Sequence, residues 1–134
     1  MPGPLPLITS FLLADQVFQQ ASPRKWCVIG IFDTIYTDAF PAIHPTLGLY
    51  LKVGNADGQY ELRIEFTDNE RNVVGRVDAR VTASDRIGRG DIGIQVRDLA
   101  LPKQGRYFVN VYFDNTQAVS DYYFDARLSE ETVP

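Results

Sequence analysis

The sequence predicts an all-β fold: an antiparallel two-sheet β-sandwich, immunoglobulin-like, of about eight strands. Three observations carry this expectation. First, apolar and polar residues alternate with period two. Tyr60, Leu62, Ile64 and Phe66 oppose Glu61, Arg63 and Glu65, and Tyr107, Val109, Val111 and Phe113 oppose Arg106, Phe108, Asn110 and Asp114. Successive strand side chains point to opposite faces, so such runs place one face in a core and the other in water. Second, the intervening stretches Asn55-Ala56-Asp57-Gly58, Asp68-Asn69-Glu70-Arg71-Asn72 and Asp114-Asn115-Thr116-Gln117 are rich in residues that tolerate left-handed backbone. Third, no amphipathic segment of helical period and useful length is present. Short strands with turns at such spacing suit a sandwich or a barrel. The Pro102, Gly105, Tyr107 corner favours the sandwich, where a tyrosine hydroxyl bonds backbone at the turn and its ring packs inside.

The first strand falls within 7–19, with Leu12 and Leu13 putting apolar groups on both faces. The second, 25–36, sets Trp26, Val28, Gly30 and Phe32 against Cys27, Ile29 and Ile31. Apolar on both faces means a central strand covered on both sides, or one that presents a face to another chain. Covering by a loop at 37–45 is the alternative. The third strand spans 46–53 and the fourth 59–67. The fifth spans 72–82, with Arg76, Asp78 and Arg80 on a solvent face, and the sixth spans 89–96. The seventh, 105–114, and eighth, 118–128, close the series; Tyr122, Phe124, Ala126 and Leu128 point inward and Tyr123 outward.

A chain of 134 residues suits a single domain with short flexible ends at about 1–5 and 129–134. Its 45% hydrophobic and 22% charged residues are ordinary for a globular protein. Net charge is −4, and Arg76, Arg80, Arg86, Arg89 and Arg97 are interrupted by Asp78, Asp85, Asp91 and Asp98. Without a basic stripe, no nucleic-acid partner is expected. Cys27 is the only cysteine, which excludes an intrachain disulfide, and it sits in an apolar run that suits a buried, inert thiol. The N-terminus lacks a basic region, and Pro4, Pro6, Thr9 and Ser10 break its apolar stretch. A cytoplasmic location without membrane insertion is the expectation.

Four segments occur in order: a strand ending near Ala14-Asp15, then Ile29-Gly30-Ile31-Phe32-Asp33, Phe40-Pro41-Ala42-Ile43-His44-Pro45, and Leu101-Pro102-Lys103-Gln104-Gly105-Arg106-Tyr107. This pattern resembles a family of small bacterial proteins catalogued as a domain of unknown function, DUF6941, over roughly 7–128. The resemblance implies a compact β-sandwich of bacterial origin. It brings no activity or catalytic residue.

Chemistry-bearing residues are sparse. His44 is the sole histidine, set in the 37–45 loop. A serine triad needs a nucleophile elbow and a zinc site several ligands, and neither pattern is present. A role pinning its loop through a backbone carbonyl fits better. Asp15, Asp33 and Asp38 near strand ends suit turns and caps. The oxygen-rich loops at Asn55, Asp57, Asp68, Asn69 and Glu70 match no calcium-loop spacing. The expectation is therefore no catalytic residue, no metal and no cofactor. The outward set Phe108, Tyr112 and Tyr123 is the candidate contact surface, because aromatics are enriched at interface hot spots. It points to a non-catalytic module binding a protein partner or itself, with strand addition at a free edge as an aid. A small-molecule or carbohydrate-binding sandwich is the alternative, and an enzyme centred on His44 and an aspartate is a further one.

Overall fold

A computed structural model describes residues 5–83 and 90–129, the side chain of Asp121 excepted. Nine strands occupy them: β1 (Leu7–Gln19), β2 (Trp26–Ile31), β3 (Thr34–Thr37), β4 (Ala42–Gly54), β5 (Gly58–Thr67), β6 (Val73–Ala83), β7 (Gly90–Leu101), β8 (Gly105–Phe113) and β9 (Thr116–Leu128). They form two sheets, ordered β2-β1-β4-β7 and β3-β9-β8-β5-β6. The expected all-β sandwich is what the chain forms, and the second sheet's β9-β8-β5-β6 order is that of an immunoglobulin-like Greek key. Arg86, Arg89 and Asp85 of the interrupted basic series lie outside the described residues.

The alternating runs do what their period requires. Leu62, Ile64 and Phe66 on β5 and Tyr107, Val109, Val111 and Phe113 on β8 are all at most 1% exposed, facing Leu13, Leu47, Leu49 and Leu51 across the layer. Each such side chain contributes about 1.5–3 kcal/mol by leaving water, set against the conformational entropy lost on ordering. At the corner before β8 the Tyr107 hydroxyl donates to the Lys103 carbonyl (2.5 Å) and accepts from the Lys103 N–H (3.2 Å). The Tyr107 ring stacks on Phe124, 5.6 Å between centroids. The expected tyrosine corner is present.

Three expectations need correction. The second strand is not one strand over 25–36. The chain leaves the first sheet after Ile31, and β3 joins the second sheet beside β9. That pairing is parallel, Thr34 opposite Asp125 through Thr37 opposite Leu128, so the sandwich is not wholly antiparallel. Next, residues 42–45 are strand and not loop, because His44 pairs with Leu99 in the β4–β7 ladder. Pro45 fits there because β1 has already left β4, pairing it no further than Gly48, so the proline faces no ladder on that side. Asp98, across from Pro45, takes a positive φ of 55°.

Finally, β2 is neither central nor covered by 37–45. It is the outer edge of the first sheet. Beyond Ala14, β1 leaves β4 and continues with β2, from Ala14 opposite Ile31 to Gln19 opposite Trp26. The resulting hairpin lies across the outer face of its own sheet. It is seated on two glycines. A Cβ on Gly48 would stand 2.7 Å from Val17 Cγ2, and one on Gly93 would stand 2.1 Å from Trp26 Cζ3. Gln95 ties the hairpin down: its amide nitrogen donates to the Asp15 carbonyl (3.0 Å), and its amide oxygen accepts from the Val17 N–H (3.3 Å). Trp26 and Val28 thus find cover, while Ile29 (51%) and Ile31 (63%) stay exposed.

Candidate functional site

Parity in β8 and β9 places Phe108, Tyr112 and Tyr123 on the outer face of the second sheet, as expected. The ladder sets Phe108 directly opposite Tyr123, with ring centroids 6.4 Å apart in an edge-on arrangement. Phe108 and Tyr112 are half-buried, and Tyr123 is 48% exposed. Tyr112 lies four residues further along β8 and is reached through β5, where Arg63 is its cross-strand partner. The three are therefore one face, but not one cluster.

Arginines complete the face. Arg106 stands opposite Asp125, pairs with it at 3.0 Å, and lays its guanidinium 3.9 Å over the Tyr123 ring. Arg63 lies 4.3 Å over the Tyr112 ring and donates to Asn115 Oδ1 at 2.8 Å. Cations over ring faces are drawn by the aromatic quadrupole, about 0.5–1 kcal/mol at exposed sites. The Asp125 carboxylate holds the Arg106 guanidinium charged even more firmly than usual.

Two hollows run along this surface. One, about 1110 Å³, is lined by Tyr36, Arg106, Phe108, Asp125 and Arg127 among others. The other, about 520 Å³, is lined by Glu65, Arg71, Phe108, Asn110 and Tyr112 among others. Phe108 and Asn69 line both, so the two adjoin and make up the trough of this face. Tyr36, 64% exposed, closes its far side, because parallel pairing sets it opposite Arg127. Reasoning from the sequence missed Tyr36 and Arg127, since nothing local announces that β3 lies beside β9, and it did not single out Arg106 although parity put it on the face of Phe108. The short β-branched and aromatic run Thr34-Ile35-Tyr36-Thr37 was the available signal for a separate strand.

Of the other candidates, Asp15 comes within electrostatic reach of His44. His44 sits half-buried on β4 with its ring 6.2 Å from that of Phe32, edge-on. Burial lowers its pKa from 6.5, opposed by the Asp15 carboxylate and by a backbone hydrogen bond at Thr46. The unfolded chain protonates near the ordinary value, so between the two pKa values it holds more protons than the folded one. Stability is therefore expected to fall as pH drops through and below about 6.5, and His44→Gln is expected to flatten that slope. Because this is the only histidine, a single imidazole resonance titrating below 6.5 by NMR checks the sign.

Asp33 accepts from the Thr34 hydroxyl at 3.2 Å at the crossover between sheets, and Asp38 is exposed. Asp68 turns its oxygens onto its own loop. Its Oδ1 accepts the Glu70 and Asn72 N–H groups, both at 2.9 Å, and Oδ2 accepts the Asn72 amide at 3.1 Å. The Asn72 N–H above all holds this carboxyl below its usual range. Asp57 likewise exchanges backbone hydrogen bonds with the Tyr60 hydroxyl, at 2.8 and 2.9 Å. Cys27 is half-buried on β2. Among the described residues no group of three or more His, Cys, Asp or Glu is placed to hold a metal. Among them, too, no helix is long and apolar enough to cross a membrane.

Residues 9–121 match the family described as "Family of unknown function (DUF6941)". The chain belongs to that family. The match runs from β1 into the first half of β9, and takes in the hairpin, the tyrosine corner and Phe108 and Tyr112 of the trough. No curated protein matches this DUF6941 chain. One solved structure that does is that of Bifidobacterium dentium beta-glucuronidase complexed with coumarin-3-O-glucuronide. It is 17% identical, with a TM-score of 0.40, and covers 90% of the DUF6941 chain and 17% of that chain. The chain thus spans less than a fifth of that enzyme's length.

Proposed function

We propose that this DUF6941 protein is a non-catalytic interaction module whose trough on the second sheet docks a protein partner. The supporting observation is the surface itself, where hollows lined by Tyr36, Phe108, Tyr112, Arg106 and Arg127 adjoin Tyr123 under Arg106 and Arg63 over Tyr112. Tyrosine and arginine are among the residue types enriched at energetic hot spots. Held over the rings, the guanidiniums lose less freedom when a partner arrives, which lowers the cost of association.

A sugar-binding surface needs open ring faces for stacking, yet Arg106 covers one face of Tyr123 and Arg63 one face of Tyr112. The protein-docking reading is favoured for that reason. Tyr36→Ala and Tyr123→Ala, both exposed positions, are each expected to leave the melting temperature nearly unchanged. Each is expected to weaken partner capture roughly tenfold or more, the effect of a single hot-spot truncation. Quantitative pull-down from extract of the native host, followed by titration with the recovered partner, makes the measurement. Equal recovery by wild type and the Tyr36→Ala/Tyr123→Ala double variant would defeat the reading.

A further inference from the structure

The second surface lies on the other sheet and is independent of the trough. We infer that the free edge of β2 pairs antiparallel with the β2 edge of a second copy of this chain, joining two first sheets across a two-fold axis.

The four sheet edges are not alike. The β6 edge carries Arg76, Asp78 and Arg80, and the β7 edge carries Asp91, Arg97 and Asp98. The β3 edge is four residues long. Charge and shortness are the usual devices that keep a strand edge from pairing with another chain. The β2 edge, Trp26-Cys27-Val28-Ile29-Gly30-Ile31, has no charged residue and exposes Ile29 and Ile31, with Phe18 (43%) exposed on the adjoining strand.

Charge selects the occupant. Lys25 precedes the edge and Asp33 follows it, each four residues from Ile29, and both are exposed. Among the described residues, no salt bridge uses either one. An antiparallel two-fold pairing centred on Ile29 brings Lys25, just before the edge, towards Asp33 of the other copy, which stands two residues past β2 where the chain crosses between sheets. It also sets Ile29 against Ile29, and Ile31 against Cys27, on a shared face. Such an edge is complementary to itself, as a two-fold interface requires. A parallel arrangement would set like charges together. The β1–β2 hairpin, held by Gln95 and seated on Gly48 and Gly93, presents this edge as a rigid element.

Five β2 residues from each copy, 27–31, make a small interface, so a dissociation constant in roughly the micromolar range is expected. Sedimentation velocity on the intact protein, from about 1 μM to about 200 μM, is expected to show a monomer–dimer equilibrium. Lys25→Glu and Asp33→Lys are each expected to weaken it about tenfold or more, and the double charge swap to restore it. Ile29→Lys is expected to abolish it, with circular dichroism and melting of every variant confirming the fold. A monomer at all concentrations overturns the inference. So does a dimer indifferent to all three positions, or a double swap that fails to rescue. Because Tyr36 and Tyr123 are untouched, loss of dimer with partner capture retained fails neither reading. Loss of partner capture in the Tyr36→Ala/Tyr123→Ala variant with dimerisation intact would count against the trough alone.

Discussion

Phe124→Ala is expected to destabilise the protein by about 3–5 kcal/mol, the range for removing a fully buried aromatic ring. Phe124 is 0% exposed. Its ring is stacked on Tyr107 at 5.6 Å and meets the edge of Phe32 at 6.3 Å. It therefore joins the tyrosine corner of one turn to the crossover between sheets. The cavity left behind cannot collapse, because two of its walls are rings held by their own constraints: Tyr107 by its hydroxyl and Phe32 by its N–H to the Leu13 carbonyl at 3.2 Å. In a chain of this length such a loss lowers the melting temperature by roughly 10–20 °C. Phe124→Leu, which keeps most of the volume, is expected to cost far less. A thermal melt of both variants checks the difference, and equal melting temperatures would show that the ring contacts contribute little.

Gly93→Ala is the second large effect, although it adds one methyl. That methyl would stand 2.1 Å from Trp26 Cζ3 and 2.8 Å from Cη2, closer than atoms approach, so the indole must leave its seat. Overpacking of this kind costs about 1–3 kcal/mol. The hairpin lifts in consequence and uncovers the outer face of the first sheet. Trp26 is the only tryptophan, so its fluorescence reports the event directly. The expected outcome is a red-shifted emission maximum together with a lower melting temperature. Gly54→Ala is the control, since a Cβ there finds nothing nearer than 3.9 Å. A spectrum for Gly93→Ala that overlays the wild type would mean the indole does not rest on Gly93.

The parts of this architecture that could be read from residues alone are those where burial is one-sided. Tyr60 to Phe66 and Tyr107 to Phe113 write a period of two because one face meets the opposite sheet and the other meets water. The same parity put Phe108, Tyr112 and Tyr123 on the outer face, and that placement holds. The N-terminal third was illegible for a physical reason. Trp26 to Phe32 is apolar without interruption, because Trp26 rests on Gly93 while Phe32 turns inward towards Phe124. A run that serves two surfaces in succession has no single period. Pro45 suggested a loop, yet proline is tolerated in β4 where β1 is absent. The trough was half visible: its rings follow from parity within a hairpin, whereas Tyr36 and Arg127 meet only through a pairing between distant segments.

The pairing of β3 with β9 also bears on the order of assembly. It brings 34–37 against 125–128, a separation of roughly ninety residues along the chain. Contacts so far apart incur a large loop-closure entropy before they yield any return, so they form late. During synthesis the early hairpin can settle on β4 and β7 while β3 still waits for β9 to be made. Until then the inner face of the second sheet lacks its last two strands, and a nascent chain is at its most adhesive in that interval.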